Sequence, residues 1–441
     1  MNDGPAVESL LALAEAAAPS LPGAGHPWLA RRRETARAHF AELGLPTTRE
    51  EDWRFTPLDA LARLSFEAAQ PPAETPDPVR LERATRCLGT AHRIVFVNGR
   101  FAAELSALAD LPEGLAISPL ACILEDEPER ARGLLGQLAD PKQSRFTALN
   151  TAAAADGLFL ETAPGTRIRQ PVHAVHLQLP SPVPHVSHPR DLVRIGEGSE
   201  LTLVEHHLGA DAGASLTNSV SEIVVERGAA LEHLRLQDEG AESVHLGVLH
   251  VRQATQSRYR SHAVSLGARL ARLEIRCELM GELAECTLNG LYLGRGTQLV
   301  DHHTTIDHAA AQTTSREAYR GILDERARGV FHGRIHVRPG AQRIDAAQTN
   351  HNLLLSDGAL LRTKPQLEIY ADDVRCSHGA TVGRLDKDAL FYLRTRGLAE
   401  AAARALLTFG FASELLSELP VASLRTELEA RVLDWIPEAR L

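Results

Sequence analysis

The sequence predicts a mainly β fold, in which a parallel β-helix core is flanked by α-helical regions at the two ends of the chain. Between Leu158 and about Val382 almost no helical periodicity is found, and short stretches alternate apolar and polar residues instead. Sandwiches, barrels and solenoids all contain strands of this kind. The solenoid is preferred because the run exceeds 200 residues, because only 4% of the residues are aromatic, and because no helix separates the strands. No strict repeat period is found.

Residues 1–90 are predicted to form an N-terminal helical region and a linker. Leucines recur among alanines over 6–17, and a second helical pattern covers 28–43, after which Gly44 provides a carboxy-terminal cap. Aromatic and charged residues alternate around Trp53, and we expect this motif to anchor a loop on the body of the protein. Four prolines lie between residues 70 and 78 and mark the linker.

Residues 91–385 are predicted to form the β-helix core, with a helical insertion near 120–155. The core begins with the apolar stretch 94–97, and the Asn98-Gly99 dipeptide that follows predicts a two-residue hairpin turn. Further strands are predicted at 201–205, 223–226, 231–234, 273–276 and 288–292. Glycine-bearing turns are predicted at Glu197-Gly198, Arg227-Gly228, Leu266-Gly267, Met280-Gly281, Arg295-Gly296, Pro339-Gly340 and Asp357-Gly358.

Residues 386–441 are predicted to form a C-terminal helical region. Apolar residues at helical spacing mark one face over 398–416, and additional leucines and phenylalanines make that face wider than one packing surface needs. A second helix is predicted at 424–435. An apolar face of this width is more often intramolecular core, and the alternative is a docking surface for a partner.

The composition argues against several classes of function. The formal net charge is -10, which disfavours a general nucleic-acid or anionic-membrane binder. No segment approaches the roughly 20 apolar residues of a membrane span, and the amino terminus lacks a basic region followed by an apolar run. Five cysteines at irregular spacing form no Cys-x-x-Cys pair, so neither a disulfide framework nor a structural zinc site is predicted. We expect a protein of the reducing cytoplasm.

One extended segment near the end of the core carries both a thiol and an imidazole. Cys376 and His378 are two residues apart, and side chains at this spacing in a strand point to the same face. Iron–sulfur clusters normally take four protein ligands, mostly thiolates. The pair is therefore at most half of such a site, and something else must complete it.

Twenty histidines raise the alternative of a histidine metal enzyme, above all around 302–308. Adjacent histidines in a strand point to opposite faces, so His302 and His303 do not chelate together, although His303 and His308 could converge across a turn. The same reasoning applies to 205–207. Polar residues that line or flank the coils are the preferred interpretation.

Other catalytic signatures are missing from the sequence. No Gly-x-x-x-x-Gly-Lys-Ser/Thr stretch exists, so the chain is not itself a P-loop ATPase, and there is no Gly-x-Ser-x-Gly elbow. Asp372 and Asp373 are adjacent, on opposite faces of a strand, and form no acid/base pair. Cys277 and Cys286 lie among apolar residues and are expected to be small buried core residues.

Several stretches together resemble a known family. Lys-Pro-Gln-Leu-Glu-Ile at 364–369 leads into Cys-Ser-His-Gly-Ala-Thr-Val-Gly at 376–383 and then Leu-Phe-Tyr-Leu-Arg-Thr-Arg-Gly at 390–397. These stretches closely resemble the carboxy-terminal signature of SufD, in the SufB/SufD family of the SUF iron–sulfur cluster assembly machinery. The resemblance covers nearly the whole chain, since further stretches agree at 52–58, 146–151, 333–337 and 348–355.

The resemblance implies a right-handed parallel β-helix between two helical regions. It also implies a non-enzymatic scaffold subunit, which pairs with the paralogous SufB through the β-helix end and docks the ATPase SufC on the helices near 398–416. A transient iron–sulfur cluster then forms at the interface with SufB. His378 matches a histidine proposed as a cluster ligand there, and Cys376 matches the neighbouring interface cysteine. Flavin is associated with the assembled SUF complex, but no dinucleotide fingerprint places it on this chain.

One position separates the two branches of the family. SufB resembles His-Glu-Ala-Thr where this chain has His-Gly-Ala-Thr at 378–381, so Gly379 lacks the carboxylate and indicates the SufD branch. The exposed end of a β-helix also allows a homodimer when SufB is absent. Two alternatives from other classes are a β-helix enzyme that acts on carbohydrate, which needs a groove of carboxylates and aromatics, and a histidine metal enzyme around 302–308.

Overall fold

The computed structural model of the chain describes residues 4–69, 86–89, 91–209 and 213–436. Their strands wind into a parallel β-helix of about 8 turns, with helices before and after it. The mainly β fold class and the β-helix predicted from the sequence are therefore confirmed. The proline-rich linker predicted at 70–78 lies outside the described residues.

Helices precede, interrupt and follow the strands. The α-helices of the described residues are α1 (Pro5–Ala17), α2 (Pro27–Leu43), α3 (Asp59–Ala62), α4 (Leu120–Asp126), α5 (Pro128–Arg132), α6 (Arg145–Ala153), α7 (Lys387–Thr395), α8 (Glu400–Leu416) and α9 (Ala422–Trp435). Helix α2 ends at the predicted cap, because Gly44 takes a φ of 57° and its N–H donates to the carbonyl of Phe40. None of the described helices has the length and apolar character needed to cross a bilayer.

The strands follow one another with little other structure between them after residue 157. They are β1 (Glu67–Ala68), β2 (His92–Val97), β3 (Arg100–Phe101), β4 (Leu115–Pro119), β5 (Leu158–Thr162), β6 (Val172–Gln178), β7 (His185–Ser187), β8 (Arg190–Ile195), β9 (Glu200–Gly209), β10 (Ser215–Val225), β11 (Ala230–Asp238), β12 (Val244–Gln253), β13 (Arg258–Ser265), β14 (Leu270–Leu279), β15 (Glu285–Gly294), β16 (Leu299–His308), β17 (Thr314–Leu323), β18 (Arg328–Val337), β19 (Ile344–Leu354), β20 (Leu360–Ile369) and β21 (Val374–Gly383).

Two sheets form the wall of the β-helix. The first sheet runs β20-β18-β16-β14-β12-β10-β8-β5-β4, with β7 and β1 attached beside β10, and the second runs β21-β19-β17-β15-β13-β11-β9-β6-β2-β3. From β8 onward each strand therefore pairs in parallel with the strand of its own sheet one coil further along the chain. Residues in register across several strands form columns that run along the axis.

Successive coils differ in length, which explains why no strict repeat period is visible in the sequence. One column of the first sheet recurs after 26 to 32 residues along Arg190, Val220, Val248, Glu274, His303, His332 and Lys364. The later strands have similar lengths, so the turns between them absorb most of the variation. A solenoid tolerates such differences because each coil contacts only its neighbours.

The space between the sheets holds the main apolar core. Leu201, Leu231 and Tyr259 stack in one inward-facing column of the second sheet and are buried in this core. Cys286 follows them in the column, and Cys277 is buried in the same cluster. The prediction that both cysteines are buried core residues is confirmed.

Two local predictions near the start of the chain are also confirmed. Asn98 and Gly99 both have positive φ, at 51° and 75°, and connect the antiparallel strands β2 and β3 as a two-residue turn. The ring of Trp53 lies 5.4 Å from that of Phe146, and the guanidinium of Arg272 lies 4.0 Å from the centre of the Trp53 ring. Trp53 therefore anchors its loop on α6 and on the first sheet.

The two ends of the β-helix differ. At the N-terminal end, the antiparallel strands β3 and β4 complete the two sheets. At the other end, β20 pairs with β18 alone and β21 with β19 alone among the described residues. One edge of each final strand therefore has backbone N–H and C=O groups without a neighbouring strand in the described part of the chain.

Candidate functional site at the open end of the β-helix

We call residues 360–383, which contain β20 and β21, the open end. The side chains of these strands are exposed or half-buried throughout, whereas those of the preceding coil alternate between buried and half-buried. The open end is therefore the part of the β-helix whose inward face is not covered by a further coil. Unpaired strands of ten residues are unusual in a protein that stays alone, because they template pairing with other chains.

Cys376 and His378 lie on β21 and face the inside of the coil. In register, Cys376 is next to Ala346 and His378 is next to Gln348, and both of these neighbours are buried. Since residues in register share a face, the thiol and the imidazole project to the same side, as their spacing predicts. Cys376 is half-buried against the apolar cluster that contains Ile335, whereas His378 is exposed.

The described part of the chain does not complete a metal site around this pair. Neither Cys376 nor His378 belongs to the groups of three or more metal-ligating side chains found close together among the described residues. Burial, and to a smaller extent Asp345, raise the pKa of the Cys376 thiol. The thiol must lose its proton before it binds a metal, so it is not activated within this chain. The pair offers two ligands, and a cluster needs more.

Beneath His378, two polar side chains that sequence reasoning missed continue its column into the core. Gln348 is followed by Glu317 in register, and the Gln348 amide donates to Glu317 Oε2 at 2.7 Å. The hydroxyl of Thr304 donates to the other carboxyl oxygen at 2.5 Å. Burial raises the pKa of Glu317 to about 7. The alternation of the strand places Glu317 on the inward face, and this was the signal that could have identified it.

Apolar side chains are exposed at the open end and on the helix that follows it. Of the twelve large apolar residues exposed in the described chain, six lie in this region: Leu360, Ile369, Tyr370, Val382, Phe391 and Tyr392. Tyr370 is 60% and Phe391 68% exposed. Exposed apolar groups concentrated at one end of a protein are typical of an interaction surface.

Gly379 is not required by the fold. Its φ is not in the left-handed region, and a Cβ built on it meets no other atom within 4 Å. A side chain at this position would point into open space at the open end. The absence of a carboxylate at 379 is therefore a matter of function rather than of backbone geometry.

The apolar face over 398–416 is divided between the core and the surface. Helix α8 packs across β15 and β17, and Ala405, Ala412 and Leu416 belong to a buried cluster shared with α9. Leu406 on the same helix is 50% exposed. Most of the wide face is thus intramolecular, and Leu406 is what it leaves to solvent as a large apolar group.

The histidines around 302–308 do not converge. His302 is buried beside the rings of Tyr292 and Tyr319, and His308 is buried with its ring nitrogens near the hydroxyls of Thr313 and Ser315. His303 lies on the opposite, outer face. The prediction that adjacent histidines diverge is confirmed, and the idea that His303 and His308 meet across a turn is wrong because their separation of five places them on different faces.

The earlier histidines belong to a buried ion-pair network. Glu205 accepts a hydrogen bond from Arg235, and His207 Nε2 lies 2.7 Å from the Glu205 carboxylate. Although burial acts in the opposite direction, Arg235 and His207 hold the pKa of Glu205 well below its ordinary value. With Arg235 at the carboxylate, this cluster is a salt-bridge network rather than a cation site.

A cleft of about 480 Å³ lies between the N-terminal loops and the outer face of the first sheet. Its carboxylates are paired with cations: Glu50 accepts from Arg145, and Glu274 lies 2.7 Å from Arg276. Despite its burial, Arg276 lowers the pKa of Glu274 to about 2. These groups stay ionised, whereas the acid of a carbohydrate-cleaving pair needs a raised pKa.

Comparison with known proteins agrees with the architecture. Residues 179–411 match the family described as "SUF system FeS cluster assembly, SufBD core domain", and residues 7–174 match the "SufBD protein N-terminal region". An iron–sulfur cluster assembly SufBD family protein of Synechocystis is 34% identical over 413 residues, which are 91% of this chain and 89% of the relative. The iron–sulfur cluster assembly protein SufD of Escherichia coli is 31% identical over 413 residues, 92% of this chain and 94% of the relative. SufD of Bacillus subtilis is 26% identical over 301 residues, 65% of each chain. The chain therefore belongs to the SufBD family of SUF-system iron–sulfur cluster assembly proteins.

Proposed function

We propose that the chain is a non-catalytic scaffold subunit of the SUF system in the cytoplasm, with the open end as its assembly surface. The carrying observation is that Cys376 and His378 are presented together on an unpaired strand, where neither has enough ligands around it in this chain. A ligand set that is incomplete and located at an open strand edge is what a site shared between two subunits requires.

The partner at the open end is the paralogous subunit SufB. Two strands with one free edge each allow a second β-helix to continue both sheets, in the manner of strand addition. Exposed apolar residues of the same region, such as Tyr370 and Val382, would be buried by that contact. A nascent iron–sulfur cluster would then form with His378 as a ligand, with Cys376 as a second candidate and with the remaining ligands from SufB. A homodimer through the same edges is the expected state when SufB is absent.

The ATPase SufC docks on the C-terminal helices. The chain has no P-loop of its own, so nucleotide-driven movement must come from another subunit. Leu406 on α8, Phe391 and Tyr392 on α7 are exposed apolar groups on neighbouring helices, and they provide anchors for a partner. Flavin on the assembled complex is not assigned to any residue of this chain.

The test compares His378→Ala with His351→Ala in co-expression with SufB and SufC. His351 is a suitable control because it lies on the neighbouring strand β19, one position from the outer face, with its ring near the hydroxyl of Thr381. Both variants should co-purify with the two partners, and only His378→Ala should lower the iron and sulfide content of the complex isolated without oxygen. Normal cluster content in His378→Ala would contradict the ligand assignment, and loss of co-purification in both would contradict a specific role for His378.

A further inference from the structure

Two histidines stack on the outer face of the first sheet, away from the inward column of Cys376 and His378. His303 on β16 and His332 on β18 are register partners on adjacent strands, and their rings lie 5.1 Å apart in an edge-to-face arrangement. Strands in one sheet are about 4.8 Å apart, so side chains in register are held at a distance that two ligands of one ion can use. Both side chains are mostly covered, with exposures of 12% and 16%.

A carboxylate from the N-terminal region completes the group. Asp52, in the loop anchored by Trp53, has Oδ1 3.9 Å from His332 Nδ1, and one ligand atom from each of Asp52, His303 and His332 lies within 4.8 Å of the others. Ligands of a tetrahedral Zn²⁺ with bonds of 2.0–2.1 Å are about 3.3 Å apart. A small side-chain rotation of the exposed Asp52 closes the remaining difference, because its side chain is 64% exposed.

Each histidine already has the supporting contact that metal-binding histidines usually show. Nε2 of His303 lies 3.0 Å from Oδ1 of Asp301, and Nε2 of His332 lies 3.4 Å from the amide oxygen of Gln366. Asp301 is held in turn by the guanidinium of Arg272 and by the hydroxyl of Thr56 at 2.6 Å. Such partners fix the tautomer and leave the second ring nitrogen, Nδ1, as the ligand.

The charged neighbours of this group are neutralised by one another. In the same column, Glu274 precedes His303 and is paired with Arg276, and Lys364 follows His332 and is paired with Glu51 at 2.5 Å. No cation therefore occupies the space between the three ligands in the described structure. This distinguishes the group from the buried His176, Glu205 and His207 cluster, where Arg235 holds the carboxylate.

We propose that Asp52, His303 and His332 bind a divalent transition-metal ion of the Zn²⁺ type. Two imidazoles and one carboxylate are the ligand set such ions prefer, whereas Mg²⁺ prefers oxygen ligands alone. The free coordination position faces a cleft of about 310 Å³ lined by Arg54, Phe55 and Arg362. The ion fastens the loop that carries Asp52 to two coils of the β-helix. This site shares no residue with the cluster site proposed at the open end.

The test is calorimetric titration of the untagged chain with Zn²⁺ after removal of metals by a chelator. All chains carry His378→Ala, so that the open end contributes no imidazole of its own. The parent chain should bind one Zn²⁺, and Asp52→Asn and His332→Gln should each weaken that binding by roughly 10-fold or more. Mg²⁺ should not bind at this site. Zn²⁺ should raise the melting temperature of the parent and not that of the two variants.

The matched control is His336→Gln. His336 lies on the outer face of the same strand, four residues beyond His332, with Nδ1 3.0 Å from the Asp307 carboxylate, and it has no place in the proposed site. Its affinity for Zn²⁺ should equal that of the parent. Absence of Zn²⁺ binding by the parent, parental affinity in Asp52→Asn and His332→Gln, or equal loss in His336→Gln would each overturn the proposal.

Discussion

Replacing Glu317 with Gln is expected to stabilise the protein at neutral and alkaline pH. Glu317 is fully buried, and its carboxyl accepts hydrogen bonds from Thr304 and Gln348. Gln keeps the size of the side chain and the acceptor that faces Thr304. Its new amide N–H₂ can donate to Gln348 once that side chain turns by half a rotation, since Gln348 Oε1 has no hydrogen-bond partner at present. The substitution therefore removes a charge from the core without leaving a larger polar deficit.

The magnitude follows from the pKa of Glu317. Burial raises this pKa from 4.5 to about 7, and a difference of about 2.5 units between the folded and unfolded states corresponds to about 3 kcal/mol. Between these two pKa values the unfolded chain releases the proton while the folded chain keeps it. The stability of the wild type therefore falls as pH rises from about 4.5 to 7, and Glu317→Gln does not share this loss. The advantage of the variant should be below about 1 kcal/mol at pH 5 and approach about 3 kcal/mol at pH 8.

The assay is urea or thermal unfolding of wild type and variant at pH 5 and pH 8, followed by circular dichroism. Glu205→Gln provides a control of opposite sign, because Glu205 is equally buried but pairs with Arg235. Its removal leaves a buried guanidinium unpaired and should cost about 3–5 kcal/mol at pH 8. The reasoning is refuted if Glu317→Gln is no more stable than wild type at pH 8, or if its advantage is the same at both pH values.

Three further predictions concern the surfaces. Val382→Lys places a charge on the exposed edge of β21 and should shift the isolated chain toward monomer and weaken capture of SufB, as measured by light scattering and co-purification; an unchanged assembly would argue against the edge as the interface. Leu406→Asp should weaken SufC binding by 10-fold or more at roughly 1–3 kcal/mol for a buried anchor, whereas Leu283→Asp, at an equally exposed turn position, should not; equal effects would contradict docking on α8. Gly379→Glu should fold with a stability within about 0.5 kcal/mol of wild type, because nothing lies near its Cβ, and a large loss of melting temperature would contradict that geometry.

Local patterns predicted the parts of the fold that depend on neighbouring residues. The Asn98-Gly99 turn and the Gly44 cap were visible because each needs a particular backbone conformation at one or two positions. The common face of Cys376 and His378 followed from strand alternation alone. The β-helix could be preferred over a sandwich from composition and run length, and its coils could not be aligned, because their lengths vary between 26 and 32 residues.

Contacts along the axis could not be predicted from the sequence. His303 and His332 are 29 residues apart, and Glu317 and Gln348 are 31 apart, so their pairing depends on the lengths of the intervening turns. Asp52 approaches the two histidines from a separate N-terminal segment, more than 240 residues away in the chain. A one-residue error in one turn would exchange inward and outward faces. The register is therefore the information that the structure adds to both candidate sites.

The unpaired edges of β20 and β21 have a consequence for how such subunits evolve. Each edge has ten residues and is about 33 Å long, and most of what it presents to another strand is peptide backbone. Backbone looks the same in every member of a family, so the edge itself does not distinguish a paralogue from a second copy of the same chain. Discrimination must come from the few side chains between the edges, and Gly379, which the fold leaves free to vary, is one of those positions. After gene duplication, a change at a single such position is enough to turn a self-pairing end into one that prefers its sister.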